Sequence, residues 1–172
     1  MREVKLLKIL KHDNIITLKD VFRKRGKLHL VFEFFEMNML EHLTQEPDGF
    51  SEDLVRIYMH QLVKAIAYCH SNRVIHRDIK LENIMVNSQR KLKLIDFGFA
   101  RTVPKKDTEF TDYIATRWYR CPSLLLGCKH YGPEVDIWAM GCIMGRLFFI
   151  RSFNMYQLSY WQGGPYFLVS PK

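Results

Sequence analysis

The chain has 172 residues, 48% of them hydrophobic and 13% aromatic, enough apolar material for one globular domain that buries roughly 70% of its unfolded surface, which argues against disorder. The net charge is +8, yet the basic residues fall in short groups (Arg23, Lys24, Arg25; Arg90, Lys91, Lys93; Lys105, Lys106) that read as solvated turns and not as a nucleic-acid surface. Cysteines 69, 121, 128 and 142 show neither zinc-site spacing nor the density of a secreted disulfide scaffold, and no apolar run reaches the roughly 18 residues of a membrane span, so the expected setting is reducing, in cytosol or nucleus, without a membrane partner.

Along the chain, REVKLLKILK (2–11) spaces Val4, Leu7 and Leu10 or Lys11 on one helical face. NIITLKDVF (14–22) and KLHLVFEFF (27–35) are β-rich runs joined by RKRG, where Gly26 can supply the positive φ of a tight hairpin. NMLEHLTQ (38–45) predicts a short helix closed by the turn residues Pro47, Asp48 and Gly49. Ser51 is placed to cap a long helix with Glu52 and Asp53 in its first turn, and Leu54, Tyr58, Leu62, Ile66 and Cys69 give it a buried face up to about His70.

Short runs with β character follow at RVIH (73–76), ENIMVN (82–87) and KLKLID (91–96). Between about 99 and 133 no period is sustained, and a loop of that length usually carries function. DIWAMGCIMGRLFFI (136–150) predicts a helix buried on most sides.

Two stretches are poor filler for any helix or strand: HRDIKLEN at 76–83 and DFG at 96–98. Phosphoryl transfer requires metal ions to neutralise phosphates, a carboxylate to orient the attacking hydroxyl, and a cation on the transferring group. Asp78 suits the hydroxyl, Lys80 the γ-phosphate, and Asn83 with Asp96 would hold magnesium through oxygen ligands. A tight loop would display 78, 80 and 83 on one side, with Asp96 brought opposite by a strand end. Gly98 would let the backbone turn away just after the metal ligand.

With these motifs the sequence resembles the eukaryotic protein kinases. VFEFF, DFGFAR and TDYIATRWYRCPS are similar to the branch containing the MAP kinases and the cyclin-dependent kinases, nearest to the cyclin-dependent-kinase-like proteins. The resemblance implies an α+β, bilobal kinase fold, incomplete, with a mostly helical C-lobe. Residues 1–35 would be the N-lobe from its helix C onward, 36–147 the upper C-lobe, and 148–172 a divergent tail. It implies a serine/threonine kinase using ATP and Mg2+ on protein substrates; the alternative is a non-catalytic, kinase-derived binding or regulatory module.

Residue by residue, the resemblance makes Glu3 the helix C glutamate and Leu7 a spine residue. Phe32 becomes the gatekeeper, Glu33 to Phe35 the adenine-binding hinge, Met85 the pocket floor, and His76 and Phe97 the spine between lobes. Asp136 matches the aspartate that anchors the HRD backbone. Thr111 and Tyr113 resemble a T-x-Y activation motif for an upstream kinase, with Arg77, Arg117 and Arg120 as phosphate partners, and Thr116 supports the catalytic Asp and Lys. The family's glycine-rich loop and β3 lysine have no counterpart here, and Cys121, Pro122, Ser123 replace its APE.

Overall fold

The computed structural model describes residues 2–102, 118–128 and 130–148, and mixes α and β with three small sheets. Helix α1 (Arg2–Ile9) buries Leu6, Leu7 and, just past its end, Leu10, while Val4 packs from the flank. Strands β1 (Leu18–Lys24) and β2 (Lys27–Phe32) form an antiparallel hairpin. Its turn shrinks to Arg25 and Gly26, with φ of 50° and 75°. Positive φ at both central positions is the geometry whose twist suits two-residue hairpins, and glycine adopts it without strain. The first β run begins four residues later than its composition suggests. Residues 14–17 instead run alongside Leu94, where Ile15 forms a parallel bridge with it and Leu94 N–H donates to Asn14 O (2.9 Å).

After the hairpin, β3 (Met37–Asn38) leads into α2 (Met39–Thr44), capped reciprocally by Asn38 and Glu41. Helix α3 (Glu52–Ser71) begins at the expected Ser51 cap, whose hydroxyl accepts from Leu54 N–H. It buries Val55, Tyr58, Leu62, Ala65, Ile66 and Cys69, while Leu54 is only half-buried. β4 (Val74–Ile75) pairs with β7 (Arg101–Thr102), and β3, β5 (Ile84–Val86) and β6 (Leu92–Leu94) form a three-stranded sheet with β5 central. A 3-10 turn over Leu81–Asn83 occupies the start of the ENIMVN run.

Within the stretch read as loop, β7 and the short helix α4 (Pro122–Leu125) are ordered, both too brief to show a period. Helix α5 (Glu134–Phe148) starts two residues early and packs against α3. The expectation that it is buried on most sides is wrong. Val135, Asp136, Ala139, Met140, Ile143 and Leu147 face inward, whereas Ile137, Trp138, Met144 and Phe148 are exposed, so apolar composition alone overstated its burial. No helix among the described residues is long and apolar enough to cross a membrane.

Burial pushes the Cys69 thiol up to about 12, reinforced by the nearby Asp136 carboxylate, and burial also raises Cys142. Cys128 is exposed. Because the thiolate is the reacting species, iodoacetamide at pH 8 should label Cys128 in the folded chain while Cys69 reacts only after urea unfolding. Peptide mass mapping at successive urea concentrations measures this, and equal labelling in the native state would contradict the packing of α3.

Candidate active site

The segment 76–80, between β4 and the 3-10 turn, has no helical or sheet ladder of its own, so its backbone groups need other partners. Asp136, at the start of α5 and 1% exposed, supplies them. Its Oδ2 accepts from His76 N–H (2.9 Å) and Oδ1 from Arg77 N–H (2.8 Å), while His70 Nε2, on α3, lies 2.8 Å from Oδ2. One carboxylate thus ties α5, α3 and the loop together. The clamp coincides with an unfavourable conformation, since Arg77 has φ 72°, costly for a residue with a Cβ and tolerated where its surroundings over-determine it.

Downstream of the clamp the predicted loop residues converge. Asp78 Oδ2 accepts from Lys80 Nζ (2.7 Å) and from Asn83 Nδ2 (2.9 Å), and Asn83 Nδ2 also donates to Asp78 O (2.9 Å). Asp78 and Asn83 are buried, and the Lys80 side chain is 17% exposed. Asn83 thus directs its amide nitrogen at Asp78, which leaves its side-chain oxygen as the atom it can offer a cation.

Asp96 lies just past β6, whose end is tied to the cluster by Ile95 N–H donating to Asn83 O (2.9 Å). The left-handed residue here is Asp96 itself, at φ 61°, and not Gly98 as expected from its type. Space is tight at Gly98: a Cβ would stand 3.1 Å from Asp96 Oδ1, which accepts from Gly98 N–H (3.2 Å), so a larger residue would press the Asp96 carboxylate aside by a few tenths of an ångström. The buried rings of Phe97 and His76 meet edge to face at 4.9 Å, and His76 Nε2 lies 3.0 Å from Ile95 O, so the two motifs touch through their neighbours. Glu3 lies close enough to the Phe97 backbone for that group to draw its carboxyl downward. Burial, and secondarily the Asp96 charge, hold it above the usual value nonetheless.

The hinge residues lie between hairpin and β3. Phe32 and Phe34 are exposed, Phe35 and Met85 half-buried, and Glu33 N–H donates to Thr17 O (3.1 Å). Arg77 does not reach outward: its Nε donates to Phe99 O (2.8 Å) and one terminal nitrogen to Tyr131 OH (2.6 Å). Arg120 is half-buried beside a cavity of about 20 Å³ lined also by Arg77, Asp78 and Tyr119, large enough for one water. Thr111, Tyr113, Thr116 and Arg117 lie outside the described residues.

Two participants escaped the sequence reading. His70 closes the clamp from the last turn of α3, and nothing in its local sequence marks it. Lys93, grouped with Arg90 and Lys91 as a solvated turn charge, is in fact 5% exposed. It stands between Leu92 and Leu94 in a strand buried along its whole length, a signal that was available.

Asn83 and Asp96 offer oxygens only, the donor set suited to magnesium. No cluster of three or more His, Cys, Asp or Glu able to hold a metal occurs among the described residues.

The Asp136 clamp on the loop of His76 and Arg77 and the Asp78–Lys80–Asn83 cluster agree with the resemblance to protein kinases. The protein kinase domain family matches residues 1–157, and the chain belongs to that family. More narrowly it is a cyclin-dependent-kinase-like sequence, 52% identical over 148 residues to cyclin-dependent kinase-like 5 of Mus musculus, a match covering 86% of this chain and 16% of that protein. Cyclin-dependent kinase-like 2 of Homo sapiens is 47% identical over 148 residues, covering 86% and 30%, and cyclin-dependent kinase-like 1 of Caenorhabditis elegans 47% over 147 residues, covering 86% and 41%. The chain thus spans between 16% and 41% of the length of these three relatives.

Asp136→Ala should be the most damaging single change near the site. It leaves two buried N–H groups without acceptors, at roughly 1–3 kcal/mol each, and removes the restraint on the left-handed Arg77. Urea denaturation should show that loss, whereas Asp53→Ala, an exposed change on α3, should shift stability by less than about 0.5 kcal/mol.

Proposed function

We propose that the chain carries the catalytic loop and metal-binding aspartate of a serine/threonine protein kinase that moves the γ-phosphoryl group of ATP to protein hydroxyls. The observation that carries this reading is the Asp78 cluster. Oδ2 is engaged by Lys80 and Asn83, which leaves Oδ1 as the oxygen able to accept the hydrogen bond of a substrate hydroxyl. That bond orients the hydroxyl oxygen for attack and draws its proton toward the carboxylate. Lys80, 2.7 Å from Asp78, is placed to follow negative charge on the transferred group.

When bound, magnesium neutralises the phosphate oxygens and fixes their orientation; the Asn83 and Asp96 side-chain oxygens would hold it. The adenine would lie along the hinge backbone at Glu33 and Phe35 with Met85 beneath. Relatives in the cyclin-dependent-kinase-like branch support protein serine and threonine residues as substrates. Regulation is part of the reading. A phosphate on Thr111 or Tyr113, set by an upstream kinase, would add nearly two negative charges and three acceptor oxygens, for which Arg77, Arg117 and Arg120 are the candidate partners.

Calorimetric titration and radiolabelled phosphate transfer to a serine/threonine peptide library test this on the full chain. Wild type should bind ATP more tightly with Mg2+ than without, and Asp96→Asn should abolish that difference. Asp78→Asn should leave MgATP affinity within about threefold and lower transfer by roughly 10²–10⁴-fold, as expected for loss of a positioned general base. A wild-type chain that neither binds MgATP at millimolar concentration nor transfers phosphate would overturn the proposal.

A further inference from the structure

Lys93 is a buried cation that the catalytic scheme above does not use. Its ammonium forms an ion pair with the Glu33 carboxylate, donates to Ile15 O (3.3 Å), and lies 5.8 Å from the centre of the Phe35 ring. The Glu33 carboxylate accepts a second bond from Thr17 N–H (2.7 Å). Burial alone would push that carboxyl up, but the hydrogen bonds from Lys93 and Thr17, with the Lys93 charge, outweigh it and hold it below its ordinary value.

Placing an ammonium in the interior is costly unless it is paired, and an ion pair there is often no more stabilising than well-packed apolar residues of the same volume. The cation at this position therefore calls for a purpose beyond filling the strand. Its contacts suggest one. It pairs with Glu33 and lies over the ring of Phe35, the two ends of the segment to which the nucleotide reading assigns the adenine, and Asp96 follows three residues later, just past its own strand.

We propose that Lys93 is a positioning residue, a brace that fixes the hinge against the strand leading to Asp96 and so sets the adenine edge relative to the metal carboxylate. What the hinge binds rests on the nucleotide reading above; that the hinge is braced does not. Without the cation, Glu33 keeps only its Thr17 partner, and the peptide units at 33–36 lose their tie to β6.

Residue-resolved amide hydrogen exchange on the full chain tests the brace without any ligand. Lys93→Met removes the charge at nearly constant volume, and Glu33→Gln, which still accepts from Thr17 N–H, is the gentler variant should the first fold poorly. Exchange at residues 33–36 should accelerate at least tenfold in either variant while α3 amides stay within twofold. The double variant should be no faster than the faster single, since both remove one interaction. Unchanged hinge exchange, acceleration shared by α3, or additive effects would each overturn the brace.

Titrations with adenosine and with magnesium tripolyphosphate then separate the two readings. If wild type takes adenosine, Lys93→Met should weaken it about tenfold and leave magnesium tripolyphosphate within twofold; equal weakening of both would overturn the positional role. If wild type takes neither, the nucleotide reading fails, and hydrogen exchange alone decides whether the hinge is braced.

Discussion

Everything near the site hangs on the Asp136 carboxylate. A loop that must present Asp78, Lys80 and Asn83 in one cluster cannot spend its backbone in a helix or sheet. Its N–H groups therefore need acceptors from elsewhere in the fold. Asp136 meets that need for two successive residues with one side chain, and holds Arg77 left-handed as it does so. A carboxylate in this interior is tolerable because three donors surround it. The arrangement explains why α3 and α5 must pack together. Their contact carries His70 and Asp136 to the same point, so the apolar face from Val55 to Cys69 serves the loop as much as the core.

The same logic operates on the second motif at smaller scale. Asp96 is left-handed and its carboxylate takes the N–H two residues on, which turns the chain so that Phe97 enters the core and stacks edgewise on His76. Gly98 is small because Asp96 curls toward it. Neighbouring residues of each motif thus divide the labour: His76 and Phe97 pack ring against ring, while the buried Asp78 and the half-buried Asp96 take hydrogen bonds. Packing between the spine rings holds the two acidic groups in register without any direct bond between them.

Periodicity and capping made the long elements legible. Ser51 and the apolar spacing of 52–71 marked α3, and Gly26 marked the hairpin, because burial and turn chemistry act locally there. The Asp78, Lys80, Asn83 constellation was legible from motif spacing for the same reason, all three lying within six residues. What escaped was long-range. Residues 14–17 have strand composition but are drawn across to β6 by the bonds of Asn14, Ile15 and Ile16 to Leu92 and Leu94. α5 is apolar on both faces, so composition could not tell which face finds a partner. Lys93 looked solvated because its neighbours Arg90 and Lys91 are; only the pairing of β6 with β5 shows it turned inward.

These long-range features share a position in the fold. Asn14 Nδ2 donates to Leu92 O and to Gln61 on α3, Gln61 accepts from Leu92 N–H, and Lys93 reaches Ile15 O and Glu33. Strand β6 is therefore gripped by polar partners from the 14–17 segment, from α3 and from the hinge. Hydrophobic burial is non-directional and would let these pieces slide by a fraction of an ångström at little cost. Hydrogen bonds and a buried ion pair have fixed geometry and resist that slide. Those directional ties converge on β6, which carries Lys93 and ends two residues before Asp96, so the groups proposed above to hold nucleotide and metal share one frame fixed by oriented bonds and not by apolar contact alone.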